Sequence, residues 1–74
     1  MKIRISSTIY PLHCLAETVR AFADFCSVNI GPERDKNYSI DILPLSIAFN
    51  DQMLTNEFLN YLLAISIRSY LLID

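Results

Sequence analysis

The segment NEFLNYLLAISIRSYLLID, residues 56–74, constrains this 74-residue chain more than any other. Placed on a helix at 100° per residue, Leu54, Phe58, Tyr61, Leu62, Ile65 and Leu72 fall in one apolar stripe. Leu59, Leu63, Ile67 and Tyr70 fall in a second, about 120–180° away by the same construction. Only a narrow strip holds Glu57, Asn60, Ala64 and Arg68. An ordinary surface helix has one apolar stripe. A membrane span would need about 20 mostly apolar residues. A window of that length over this segment takes in Glu57, Asn60 and Arg68, and a central charge costs about 3 kcal/mol or more on insertion scales. The expectation is therefore no membrane span, but a helix packed on two sides. One side takes a sheet; the other takes a second helix or another protein.

The preceding residues supply the sheet. KIRISSTI, residues 2–9, alternates with Ile3, Ile5 and Ile9 on one parity, as in a half-buried strand. Pro11 then opens a helix, since its missing N–H is not needed in the first turn. Leu12, Leu15, Ala16, Val19, Phe22, Ala23 and Cys26 follow at spacings of three and four and form a single stripe. His13, Glu17, Arg20 and Asp24 lie opposite, with Glu17–Arg20 and Arg20–Asp24 spaced as surface ion pairs. This helix is expected to end near Phe25. CSVNI (26–30) and YSIDIL (38–43) alternate on either side of GPERDKN, which carries the only glycine, and read as a hairpin halted by Pro44. Residues 45–49 extend that strand or form an apolar connector. Asn50 or Asp51 caps the last helix.

The order strand-helix-strand-strand-helix predicts one α+β domain over residues 1–74. It is a two-layer sandwich, a truncated ferredoxin-like arrangement with a three-stranded sheet and both helices on one face. The third strand would lie between the first two. The first strand would then be an unprotected edge.

Composition narrows the partners. Hydrophobic residues make up 53% of the chain, a surplus for a domain whose small size limits its core. A surface buried against another chain accounts for it. The flank Cys14, Ala21 and Phe25 of the first helix could cover part of the second stripe, leaving the remainder exposed. Six Lys and Arg, scattered, and a net charge of −2 argue against nucleic acid. No apolar signal-peptide core follows Lys2 and Arg4, so a cytoplasmic setting is expected, with Cys14 and Cys26 as free thiols. No metal-ligand spacing and no glycine-rich phosphate loop is present, and no cofactor is expected. Adjacent helical positions diverge by about 100°, so His13 and Cys14 are not expected to converge as a nucleophile pair.

FLNYLLAISIR, residues 58–68, resembles the C-terminal signature of a small bacterial family, the D component of the His-Xaa-Ser systems. Phe58, Asn60, Leu62, Leu63 and Arg68 match its pattern, and Ile67 replaces Leu. Tyr61 and Ala64 stand where that family has Glu and Asp. IYPLHCLAETVRAFADFCSVNI, residues 9–30, is similar to its strand, Tyr-Pro, helix and strand. The resemblance implies an accessory protein of a gene cluster that pairs radical-SAM enzymes with a repeat-bearing substrate polypeptide. It implies no catalytic residue. The candidate interface is Phe58, Leu59, Asn60, Leu63, Ile67, Arg68 and Tyr70, with Arg68 as a carboxylate anchor. Partners expected are a second copy, a radical-SAM enzyme or its peptide substrate. The alternatives are a small homodimeric enzyme whose site forms across the dimer from His13, Asp41 or Arg68, and a stand-alone structural or regulatory oligomer.

Overall fold

The computed structural model describes residues 1–71. Its elements are β1 (Lys2–Ser6), α1 (Leu12–Ala21), β2 (Cys26–Ile30), β3 (Asn37–Pro44) and α2 (Asp51–Leu71). The strands form one antiparallel sheet in the order β1-β3-β2. The register sets Ile3 opposite Ile40, Ile5 opposite Tyr38 and Val28 opposite Ile42. Period-two alternation therefore gathers Ile3, Ile5, Cys26, Val28, Tyr38, Ile40 and Ile42 on one face. Ile5, Cys26, Ile40 and Ile42 are buried there with Cys14 and Leu15 of α1 and Phe58, Leu62 and Ile65 of α2. The opposite face presents Lys2, Arg4, Ser27, Asn29, Ser39, Asp41 and Leu43.

β1 stops at Ser6, three residues before the alternation does. The Ser6 carbonyl accepts the Tyr10 N–H and its Oγ accepts from the amides of Thr8 and Ile9, a side-chain turn that competes with the ladder. Ile9 is consequently exposed. Pro11 sits just outside α1, where its carbonyl accepts from Cys14 and Leu15. The buried side of α1 is Cys14, Leu15 and Thr18, while Leu12 and Ala23 are exposed. The helix is thus rotated from the purely apolar stripe toward its small residues. Cys14 of α1 packs against α2 at the Ile65 carbonyl. Thr18 Oγ1 satisfies itself by donating to the Cys14 carbonyl at 2.8 Å. The helix ends at Ala21, earlier than its pattern suggests, because the Phe22 carbonyl takes the amides of Phe25 and Cys26 and turns the chain into β2. Neither Glu17–Arg20 nor Arg20–Asp24 closes as an ion pair. Among the described residues the one salt bridge joins the Met1 ammonium to Asp41 at 3.4 Å.

The β2–β3 hairpin closes on a tight turn. Arg34 and Asn37 exchange both backbone hydrogen bonds, and Asp35 and Lys36 between them have φ of 55° and 62°. Two consecutive left-handed residues make a type I′ turn, whose twist matches the strands but which favours Asn-Gly. After β3 the connector 45–49 does not extend the strand. It turns, with Ile47 fully exposed, and Asn50 Oδ1 accepts the Met53 amide as the N-cap of α2.

Candidate functional site

α1 and α2 pack antiparallel. Phe22 meets the rings of Phe58 and Tyr61 edge-on, and Cys14 Sγ lies 3.8 Å from the Ile65 carbonyl. The buried arc of α2 is Thr55, Phe58, Leu62, Ile65 and Ser66. Relative to the first apolar stripe it is turned toward the hydroxyl residues, and Tyr61 is left half outside. Leu72, the last member of that stripe, lies outside the described residues. Thr55 Oγ1 and Ser66 Oγ are buried without a hydrogen-bond partner. Apolar side chains of the second stripe stay in water: Leu63 is 41% exposed, Ile67 50% and Tyr70 47%.

The candidate interface therefore divides. Phe58 is fully buried and belongs to the core, because it fills the space between Phe22 and the sheet; it is not available to a partner. Leu59 is half-buried and packs against the core edge. Asn60, Leu63, Ile67, Arg68 and Tyr70 are exposed on α2. α1 does not cover them. Cys14 is buried against Ile65, Ala21 is exposed, and Phe25 turns to Phe22 and Phe49 instead. The flank with Leu63, Ile67 and Tyr70 faces away from α1, and the Tyr70 hydroxyl donates to the carbonyl of Thr8, just beyond β1. That bond ties the C-terminal end of α2 to the turn that follows β1.

β1 is an edge strand, paired only with β3. Ile42 N–H bonds the Met1 carbonyl and Ser7 N–H bonds the Lys36 carbonyl, so the odd-numbered residues of this strand turn their backbone groups to β3. By antiparallel alternation Lys2, Arg4 and Ser6 turn theirs outward. Arg4 also lines a concavity of about 440 Å3 on the outer sheet face with Pro32, Arg34, Asp35, Asn37 and Ser39. At the far end of the molecule Phe25, Ala48, Phe49, Met53 and Leu54 bound an apolar groove of about 340 Å3. The sequence pointed to the connector only as a segment of open role. Its signal was an apolar run, Leu45, Ile47 and Phe49, with no helix or strand to bury it.

His13 and Cys14 do converge, contrary to expectation: His13 Nε2 lies 3.5 Å from Cys14 Sγ and 3.2 Å from Ser69 Oγ. The ring swings back over the first turn to reach α2. This makes no nucleophile. Cys14 is buried, its thiol points to a helix carbonyl, and among the described residues no carboxylate holds the ring. Asp41 lies on the opposite sheet face, bound to the Met1 ammonium, and Arg68 is exposed on α2; the chain does not assemble them with His13. Burial pushes the Cys26 thiol above its ordinary pKa, which suppresses the thiolate. Among the described residues no three His, Cys, Asp or Glu side chains gather as metal ligands would, and no helix is long and apolar enough to cross a membrane.

Comparison with known protein families, with curated proteins and with solved structures yields no match.

Proposed function

We propose that this chain is a non-catalytic domain that works by binding another protein. The observation that carries this reading is the balance of its apolar side chains. Among the described residues fourteen large hydrophobic side chains are exposed and nine hydrophobic residues form the core. Single exposed apolar residues are ordinary, but five of these fall in two groups, Leu63, Ile67 and Tyr70 on the α2 flank and Phe25 and Met53 at the connector groove. The two orphaned hydroxyls support the same reading. α2 turns Thr55 and Ser66 inward while leaving Leu63 and Ile67 in water, an orientation the isolated chain does not reward.

The architecture is read as ferredoxin-like, without, among the described residues, the strand that would lie beside β1. The partner class comes from the resemblance of residues 58–68 to the small component of His-Xaa-Ser systems: a radical-SAM enzyme or its repeat-bearing peptide, in the cytosol. A second copy of the chain is the other partner proposed. Light scattering of the purified protein, followed by titration with a radical-SAM enzyme and a repeat-bearing polypeptide of a His-Xaa-Ser system, tests this. Binding that Ile67→Glu abolishes without loss of helicity is expected. A monomer that binds neither would overturn the reading.

A further inference from the structure

β1 has a free edge, Leu63 and Ile67 of α2 are exposed, and Tyr70 of the same flank is bound to Thr8 just beyond that strand. We propose that these two surfaces together accept an extended acidic segment of a partner protein, added to the sheet as a fourth strand. This rests on the protein-binding reading above and supplies its mode. The outward N–H groups of Lys2, Arg4 and Ser6 and the carbonyls of Lys2 and Arg4 offer an unused ladder; the Ser6 carbonyl is already taken by Tyr10. On α2, Leu59, Leu63 and Ile67 recur every fourth residue. Their spacing along the helix is about 6 Å, close to the roughly 6.6 Å between alternate residues of a strand. Every second side chain of an added strand would therefore meet one of them. Leu63 and Ile67 would lose their exposure to water in the process.

Charge selects the occupant. The intervening side chains of that strand would emerge on the outer face beside Lys2 and Arg4. Among the described residues neither Lys2, Arg4 nor nearby Arg34 has a carboxylate within ion-pair distance, and Asp41 is held by the Met1 ammonium. Glutamate or aspartate at those positions is complementary. A second copy of β1 is not: in an antiparallel pair Arg4 would face Arg4 or Lys2 would face Arg4, and like charges across a strand pair repel.

The test uses the intact protein and two synthetic seven-residue peptides, one alternating Val and Glu, the other Val and Lys. Amide exchange and methyl spectra are followed by NMR. The glutamate peptide should slow exchange at the Lys2, Arg4 and Ser6 amides at least tenfold and shift the Leu63 and Ile67 methyls. It should bind at least tenfold tighter than the lysine peptide, and Lys2→Glu/Arg4→Glu should reverse that order. Equal binding of both peptides, or unaltered β1 amides, would overturn the proposal. Shifts confined to α2 would overturn strand addition while leaving the protein-binding reading standing. A dimer whose β1 amides are already protected would replace the acidic segment with a second copy.

Discussion

Ser66→Ala should make this protein more stable. Ser66 is 1% exposed on the core side of α2, and its hydroxyl has no partner. A buried hydroxyl left unsatisfied costs about 1–3 kcal/mol. Alanine also exceeds serine in helix propensity by about 0.5 kcal/mol. Against this stands the void left by one oxygen, about 0.3 kcal/mol at roughly 24 cal/mol per Å3. The net gain is about 1–3 kcal/mol, which raises Tm by about 4–24 °C in a domain of this size. Thr55→Val removes the other orphaned hydroxyl at equal volume and should add to it. The two sites lie eleven residues apart on α2, about 16 Å, so the gains should sum. Thr18→Val is the control. Its hydroxyl donates to the Cys14 carbonyl at 2.8 Å, so its loss should leave stability unchanged or lower it by about 1 kcal/mol. Urea titration followed by circular dichroism measures all three, with an unchanged slope confirming that only stability moved. Ser66→Ala that is neutral or destabilising would refute the reasoning. It would mean that α2 is turned differently in solution and that Leu63 and Ile67 are not the side facing water.

Two further outcomes follow from the backbone and the thiols. Replacing Asp35-Lys36 by Asn-Gly suits the two left-handed turn positions and should stabilise the hairpin by about 0.5–1 kcal/mol, read as a higher midpoint in urea; a lower midpoint would mean the turn is not type I′ in solution. Cys26 carries a pH dependence. Its folded pKa is raised, so the folded state holds the thiol proton more tightly than the unfolded chain. Stability is therefore fully present below the ordinary thiol pKa and falls as pH rises through the folded value. Tm measured from pH 7 to pH 10 should drop at the alkaline end, and Cys26→Ala should flatten that drop; an identical profile in the variant would refute the assignment.

Much of the fold is legible in local pattern. Alternation in KIRIS, CSVNI and YSIDIL marks the strands because a pleat puts every second side chain on one face. Pro44 and Asn50 mark their boundaries through a missing donor and a side-chain acceptor. Two other boundaries are set by bonds that no pattern contains, the Ser6 side-chain turn and the Phe22 carbonyl. The candidate surface was legible in part. Two stripes on α2 announce a surplus, but not which stripe is buried, and Phe58 shows the difference: it stands in the candidate interface and yet fills the core.

By itself the sequence determined an α+β chain with more apolar side chains than its core can hold, because composition and periodicity are properties of single segments. Only the tertiary structure decided how α2 is rotated. It buries Cys14 and Thr18 of α1 and Thr55 and Ser66 of α2, and that rotation leaves Leu63 and Ile67 exposed. Packing between helices is a contest among shapes from distant parts of the chain, and its outcome here put the small side chains inside.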